Sequence, residues 1–175
     1  MNGQEIKIGT TGLKQVCLVV KDLVQAEQQW SKILNMPAEH LVTPPWNEVP
    51  SYTDGRADSF REKFILFRLA NGVLLEIYGP GEHSENPWGR YLREHGEGVM
   101  NFAFYVDEER DEAYRQIGEA TGVAAPYHEG FYPDCTYSFV ATHDILGVEL
   151  NIKREEDNRD RIGGFLADPL SYGSK

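Results

Sequence analysis

Four polar side chains interrupt strongly apolar stretches of this sequence, and their types are those that move protons or bind oxygen atoms. They are Gln15 in "LKQVCLVV", Glu76 in "VLLEIYGP", Asn101 in "VMNFAFYV" and Glu149 in "GVELNIK". Two carboxylates in a partly apolar cavity would have different pKa values, so one could act as a general acid and the other as a general base. The two amides could donate hydrogen bonds to a developing oxyanion. All four side chains could instead ligate a hard cation such as magnesium, manganese or calcium through oxygen.

Each of these stretches is predicted to be a strand with one apolar face and one face that carries the polar residue, because side chains alternate along a strand. In residues 13–20, for example, Val16 and Leu18 share the apolar face and Gln15 lies on the other. A single residue of this kind is often a strand position that faces solvent. Four of them at matched positions of an internal repeat favour convergence on one cavity about a pseudo-twofold axis.

The first half of the repeat contains a strand, a helix and three further strands. The strand over residues 13–20 precedes a helix that Asp22 can cap, and Gln25 stands three residues on, as in a capping box. A possible short strand lies near residues 40–43. A hairpin turns through Asn71-Gly72, the strongest short hairpin signal.

The second half repeats this order after a short helix over residues 87–95. A strand over residues 99–106 is followed by a helix that Asp107 can cap, and three strands are expected near residues 123–128, 135–142 and 147–153. The sequence therefore predicts an α+β fold made of tandem βαβββ modules. We place the first module at residues 1–82, a linking helix at 83–95, the second module at 96–154 and a C-terminal tail at 155–175.

Aromatic residues are frequent where a ligand could be bound. Residues 43–60, with three prolines, are predicted to form a long irregular loop that either covers a pocket or is a plain surface excursion. Several aromatic side chains could stack on a planar ligand, although ordinary core or rim packing is the alternative for each. These are Trp46, Tyr52, Tyr78, Tyr105 and Tyr137. In the tail, three apolar residues could dock on the barrel or on a partner subunit: Phe165, Leu166 and Leu170.

Composition excludes several classes of function. The chain has 175 residues and a formal net charge of −11, which argues against binding to nucleic acid or to an anionic membrane surface. No apolar run approaches the roughly 20 residues of a membrane span, and no secretory signal is present, so we expect a cytoplasmic protein. The two cysteines, Cys17 and Cys135, stand in apolar runs and are expected to be buried free thiols.

The order of elements and several segments resemble the vicinal oxygen chelate superfamily, which includes glyoxalase I, methylmalonyl-CoA epimerase, extradiol dioxygenases and bleomycin-resistance proteins. The segment "NPWGRYLREHGEGVMNFAFYVDE" is most similar to the epimerase and glyoxalase branch, and "GLKQVCLVVKD", "LLEIYGP" and "GVELNIK" resemble the family's first, fourth and eighth strands. The resemblance covers about residues 11 to 153. It implies a half-open mixed β-barrel with helices outside, a small-molecule substrate and a homodimer.

The resemblance also implies metal ligands at the four matching positions. Glu76 and Glu149 agree with the family pattern, whereas Gln15 and Asn101 replace the histidines that are common in the first and fifth strands. Imidazole binds transition metals far better than an amide oxygen does. We therefore expect either no metal or a divalent ion held weakly by the oxygens of these four side chains.

Three functions remain open at this point. The first is a glyoxalase- or epimerase-like isomerase or lyase that acts on a small carbonyl compound, with Glu76 and Glu149 as base and acid and with Gln15 and Asn101 binding the substrate. In relatives the connection that holds His128 borders the cavity, so His128 could serve as an additional acid or base. The second is a non-catalytic, antibiotic-like binding protein that uses the aromatic residues. The third is an enzyme with a weak, oxygen-ligated divalent metal.

Overall fold

Ten strands form one mixed sheet in the computed structural model, which describes residues 8–81, 84–107 and 109–172. The strands are β1 Thr10–Val19, β2 Glu39–Val42, β3 Ser51–Thr53, β4 Arg56–Ala57, β5 Lys63–Arg68, β6 Leu74–Tyr78, β7 Gly98–Val106, β8 His128–Tyr132, β9 Cys135–Val140 and β10 Glu149–Glu155. The helices are α1 Leu23–Leu34, α2 Pro87–His95, α3 Arg110–Thr121, α4 His143–Leu146 and α5 Arg159–Ala167, followed by a 3₁₀ turn at Pro169–Ser171. Among these described residues no helix is both long and apolar enough to cross a membrane.

The sheet joins two similar halves at its centre. Its strand order is β2-β5-β6-β1-β7-β10-β9-β8-β3-β4. β1 and β7 pair antiparallel at the seam, and each has a parallel partner from its own half, β6 and β10 respectively. The predicted α+β fold, a half-open barrel with helices outside, is therefore confirmed. The module boundaries stay a prediction, and the one after residue 82 lies outside the described residues.

The helices cover the apolar faces that strand alternation predicted. Val16 and Leu18 of β1 pack in a cluster with Trp30 of α1, and Ile117 of α3 packs with Val106 and Ile152. Burial of this kind stabilises the fold by roughly 25 cal/mol per Å² of apolar surface removed from water. The opposite face of β1, which carries Gln15, is consequently turned away from the helices and toward the inside of the barrel.

Local signals position several elements where the sequence predicts them. Asp22 accepts a hydrogen bond from the backbone N–H of Gln25 at 2.9 Å and caps α1. Asn86 accepts one from the backbone N–H of Gly89 at 2.8 Å, with Pro87 at the first helical position of α2. The Asn71-Gly72 turn joins β5 to β6, and Gly72 has a φ of 82°.

Two local predictions are wrong. Helix α3 begins at Arg110 after Glu109, so Asp107 is too far from it to cap it. The strand expected near 123–128 is instead β8 at His128–Tyr132, because Pro126 has no N–H to donate to a ladder. Between β9 and β10 the chain turns through the short helix α4.

The predicted irregular loop over residues 43–60 contains a small hairpin. Asp54 and Gly55 both have positive φ, 49° and 77°, as a type I′ turn requires, and they join β3 to β4. β3 then pairs with β8, so a segment of the first half extends the sheet of the second half. Other residues of this loop, Thr43 and Phe60 among them, line a cavity on the uncovered face of the sheet, in agreement with the interpretation that the loop covers a pocket.

The C-terminal tail docks on this added edge. Phe165 of α5 is only 7% exposed and packs against Tyr52 of β3 and Phe131 of β8, with ring centroids 5.2 and 5.1 Å apart. Leu166 and Leu170 are 46% and 87% exposed. Of the three apolar tail residues, one therefore anchors the tail to the barrel and two face solvent.

Candidate functional site

A cavity of about 80 Å³ lies on the face of the sheet that the helices leave uncovered. Three of the four polar residues singled out in the sequence line it, namely Gln15, Glu76 and Asn101. Two of the predicted aromatic contacts, Tyr78 and Tyr137, line it as well. The cavity also contains side chains that the sequence interpretation did not select: Cys17, Trp88, Asn151 and Lys153.

The register of the central strands brings these residues together. Cys17 pairs with Glu76 in the parallel ladder of β1 and β6, and with Asn101 in the antiparallel ladder of β1 and β7. Two residues along, Ala103 of β7 pairs with Gln15 on one side and with Asn151 on the other. Because Ala103 carries only a methyl group, longer side chains from β1 and β10 have room to meet above it.

Lys153, Gln15 and Glu76 form one hydrogen-bonded chain across the cavity. The ammonium of Lys153 donates to Gln15 Oε1 at 2.7 Å, and Gln15 Nε2 donates to Glu76 Oε2 at 2.6 Å. Burial raises the pKa of the Glu76 carboxyl, and the charge of Lys153 partly opposes that shift. A carboxylate with a raised pKa is a stronger base than an exposed one, as a group that removes a proton must be.

Asn101 is buried without any hydrogen-bond partner for its side chain among the described residues. It is 0% exposed, and neither Oδ1 nor Nδ2 has a partner in that part of the chain. Oδ1 of Asn151 is likewise buried without a hydrogen-bond partner in that part of the chain. Buried polar atoms are almost always hydrogen-bonded in folded proteins, so these amides are available to groups of a molecule that enters the cavity.

Glu149 lies outside this cavity, and the expected convergence of four residues therefore fails for it. It is the first residue of β10 and pairs with Asn101, while Asn151 and Lys153 reach the cavity. The hydroxyl of Tyr127 donates to Glu149 Oε2 at 2.7 Å in a separate depression beside α2. Burial raises the pKa of Glu149 to about 7 there. A two-residue shift along a strand leaves the face unchanged, so alternation could not distinguish Glu149 from Asn151.

His128 is fully buried behind Tyr137 and does not line the cavity. Its Nε2 lies 3.1 Å from Tyr137 Oη, and its Nδ1 lies 2.8 Å from Thr53 Oγ1 and 3.5 Å from Asp58 Oδ2. Burial and the charge of Arg90 lower the pKa of His128 to about 3, so the ring is neutral. His128 therefore contacts the cavity indirectly, through its hydrogen bond to the Tyr137 hydroxyl and through ring contacts with Phe139 and Trp88.

The other aromatic residues predicted to bind a ligand either pack against rings of the protein or lie away from the cavity. Trp46 packs edge-on against Tyr52 at 6.1 Å, and Tyr105 lines a separate surface depression with Lys14 and Arg68. Tyr78 lies in the cavity wall, but Trp88 stacks on one face at 4.2 Å and Phe64 stacks at 4.6 Å. Stacked rings on Tyr78 leave it little surface for a planar ligand.

The donors in the cavity do not fit the divalent ion that the family resemblance implies. They are one carboxylate, neutral amides, hydroxyls and the Cys17 thiol, whose pKa is raised by burial, and the ammonium of Lys153 is hydrogen-bonded to one of those amides. A divalent cation would be repelled by that ammonium, and without Glu149 only Glu76 supplies a negative charge. An oxygen-ligated metal at these positions is therefore inconsistent with the side chains that surround it.

Comparison with known proteins shows the fold. No family model and no curated protein matches the sequence, but solved structures do. The chain has the fold of the methylmalonyl-CoA epimerases. The enzyme from Mycobacterium tuberculosis is 17% identical, with 91% of this chain and 97% of that chain covered at a TM-score of 0.54. A Streptomyces coelicolor epimerase variant in complex with 2-nitronate-propionyl-CoA is also 17% identical, with 83% and 95% covered at 0.51. A hypothetical protein from Bacillus halodurans C-125 is 16% identical, with 83% and 95% covered at 0.52.

Proposed function

We propose that this protein is an epimerase-like isomerase that transfers a proton at a carbon next to a carbonyl group, without a metal ion in its cavity. The observation that carries the proposal is the chain of hydrogen bonds from Lys153 through Gln15 to Glu76. The same cavity is lined by Asn101, whose amide has no hydrogen-bond partner among the described residues. A base, a cation and an unused hydrogen-bond donor then share one cavity. These are the groups that enolate formation requires.

In the proposed reaction Glu76 removes the proton. Its raised pKa makes the carboxylate a stronger base than an exposed glutamate, and as Glu76 becomes neutral its negative charge passes to the enolate. The negative charge that develops on the carbonyl oxygen is stabilised by the Lys153 ammonium and by Asn101 Nδ2–H. These two donors take the part that a Lewis acid plays in other enolising enzymes.

The proton returns from a group in the same cavity. Glu76, once protonated, can give it back to either face of a small planar enolate. Tyr137 is a second donor, because its hydroxyl lies in the cavity wall and is hydrogen-bonded to His128. Glu149 takes no part in this mechanism, since its carboxylate lies in another depression. Elimination from the same enolate would make the protein a lyase, and the product of the reaction distinguishes the two outcomes.

Acyl-CoA thioesters are the first substrates to test. The solved epimerases of this fold include complexes with methylmalonyl-CoA and with 2-nitronate-propionyl-CoA. The cavity of about 80 Å³ accommodates a small acyl group rather than a whole coenzyme. We therefore propose short-chain thioesters and related small carbonyl compounds as ligands. The homodimer and the superfamily membership that the sequence resemblance implies remain part of this proposal.

Sequestration of an aromatic ligand receives less support. Of the five aromatic residues expected to bind such a ligand, three lie elsewhere, namely Trp46, Tyr52 and Tyr105, and Tyr78 is stacked between Phe64 and Trp88. Only Tyr137 remains with an edge toward the cavity. Saturable binding of a planar ligand without any turnover would nevertheless favour that function over catalysis.

The deciding experiment measures exchange of solvent deuterium into the α-carbon of a panel of thioesters and 2-oxo compounds by mass spectrometry. Glu76→Gln should lower the exchange rate by about 10²- to 10⁴-fold, the usual contribution of a general base. Glu149→Gln is the matched control and should leave the rate within about twofold. Circular dichroism establishes that both variants fold. Absence of exchange throughout the panel in the wild type, or full activity of Glu76→Gln, would refute the proposal.

A further inference from the structure

A second cluster of functional side chains lies beside the end of α2, apart from the cavity described above. His95 ends α2, and His143 and Asp144 begin α4, with Glu149 lining the same depression. The two imidazole rings face each other with centroids 3.8 Å apart. One nitrogen of each ring and a carboxylate oxygen of Asp144 all lie within 4.8 Å of one another. We propose that His95, His143 and Asp144 bind a divalent transition-metal ion of the zinc type.

Hydrogen bonds and close ion pairs among the described residues do not account for this arrangement. The closest ionic contacts of the two rings are His143 Nδ1 to Asp144 Oδ1 at 3.7 Å and His95 Nε2 to Glu94 Oε2 at 3.9 Å, both longer than a hydrogen bond. His143 Nδ1 is buried and has no hydrogen-bond partner in the ranges that the structure describes. A nitrogen lone pair that is withdrawn from water in this way is suited to a metal ion.

The ring of Tyr91 packs against both imidazole rings. Its ring lies 4.9 Å from that of His95 and 5.6 Å from that of His143. The Tyr91 hydroxyl donates to the carbonyl oxygen of Val99 at 2.8 Å, which fixes the tyrosine against β7. This packing holds the two imidazole rings next to each other at the end of α2.

The donor set agrees with zinc-type coordination. Two imidazoles and one carboxylate suit zinc, cobalt and nickel, whereas calcium and magnesium require mainly oxygen ligands. Metal–ligand bonds of about 2.0–2.2 Å need the three donor atoms somewhat closer together than 4.8 Å. The Asp144 side chain is 94% exposed, so rotation about its own bonds can supply that movement. The remaining coordination positions are left to water or to Glu149.

The surrounding charge favours a cation. Three carboxylates line the depression, those of Glu94, Asp144 and Glu149. The guanidinium of Arg90 is the positive charge that lines it with them. A bound ion would connect α2, which links the two halves of the chain, to α4 in the second half. It would thereby stabilise the folded protein in proportion to its affinity. This role is independent of the proton transfer proposed for Glu76, because the two sites share no residue.

Titration of the metal-free, untagged chain with Zn²⁺, followed by calorimetry and thermal unfolding, tests this inference. We expect one equivalent to bind and the melting temperature to rise. His95→Gln and His143→Gln should each weaken binding by at least about tenfold and abolish the stabilisation. His40→Ala is the matched control, since His40 is exposed and lies 2.9 Å from Glu27 far along the sequence from the cluster.

A second measurement keeps the test independent of variant folding. Co²⁺ added to the wild-type chain should give visible absorption bands of a protein-bound ion, and Zn²⁺ should displace it. Zinc binding that is equally tight in both histidine variants, or no binding by the wild type at submillimolar Zn²⁺, would overturn the inference. So would loss of binding in His40→Ala to the same degree.

Discussion

The ammonium of Lys153 donates a hydrogen bond to Gln15 Oε1 at 2.7 Å, although the two residues are 138 positions apart in the chain. They stand on β10 and β1, with β7 between them, and the small side chain of Ala103 leaves the space for this contact. Because Gln15 Oε1 accepts the hydrogen bond from Lys153, the other end of the amide, Nε2, donates to Glu76. One long-range contact thus sets both the orientation of the amide and the charge beside the carboxylate.

Removal of the Lys153 charge should change the pH dependence of catalysis. Lys153 lowers the pKa of Glu76, so Lys153→Met should raise that pKa and shift the rising limb of the exchange rate toward higher pH. The maximal rate should also fall by about 10-fold or more because the oxyanion loses a cation. Lys153→Arg keeps the positive charge, so it should retain part of the wild-type pH profile and part of the wild-type maximal rate. An unchanged pH profile in Lys153→Met would contradict this role.

His128 should make the fold sensitive to acid. Its pKa is lowered to about 3 by burial, against an ordinary value of 6.5, so the unfolded chain binds one more proton between these two values. The free energy of unfolding therefore falls as the pH decreases through that window, by at most about 1.4 kcal/mol per pH unit. His128→Gln should lack this slope in urea unfolding measured between pH 3.5 and about 7.

Asp58 provides a control of opposite sign for the His128 prediction. Burial raises the pKa of Asp58 from 3.8 to about 6, so the folded chain binds the extra proton in that interval. Asp58 therefore stabilises the fold as the pH falls through this interval and partly offsets His128. Asp58→Asn should steepen the loss of stability in acid. Parallel pH profiles in the wild type and both variants would show that neither group titrates as the structure implies.

Two aspartates that precede helices should differ in their effect on stability. Asp22→Ala removes the hydrogen bond to the Gln25 N–H and should lower the free energy of unfolding by about 0.5–2 kcal/mol. Asp107→Ala should change it by less than about 0.5 kcal/mol, because α3 starts beyond it at Arg110. Urea unfolding of both variants makes the comparison. An equal loss in the two would mean that Asp107 also contributes to the start of α3.

The docked tail should depend on Phe165 and not on its apolar neighbour. Phe165→Ala removes a buried ring from between Tyr52 and Phe131 and should cost about 3–5 kcal/mol, or release the tail to proteolysis. Leu170→Ala, at a residue that is 87% exposed, should leave both stability and protease resistance unchanged. Limited proteolysis combined with thermal unfolding distinguishes these outcomes, and a stable Phe165→Ala variant with an intact tail would refute the docking.

Local patterns in the sequence were sufficient for most of the architecture. The caps at Asp22 and Asn86, the turn at Asn71-Gly72 and the alternation around Gln15 each depend on residues within a few positions of one another. The Asp54-Gly55 pair carried a similar hairpin signal, which the prolines around it concealed. Alternation likewise put Lys153 on the inner face of its strand, although nothing local indicated that it would meet Gln15.

The sequence by itself determined the order of the main strands and helices, the repeat of the two halves and the faces on which Gln15, Glu76 and Asn101 lie. Only the tertiary structure decided that Asn151 and Lys153 rather than Glu149 reach the cavity, and that His95 meets His143. The physical reason is that the face of a residue follows from local backbone periodicity. The register in which two strands pair depends on packing between distant parts of the chain, and so does the choice of which helix ends meet outside the sheet.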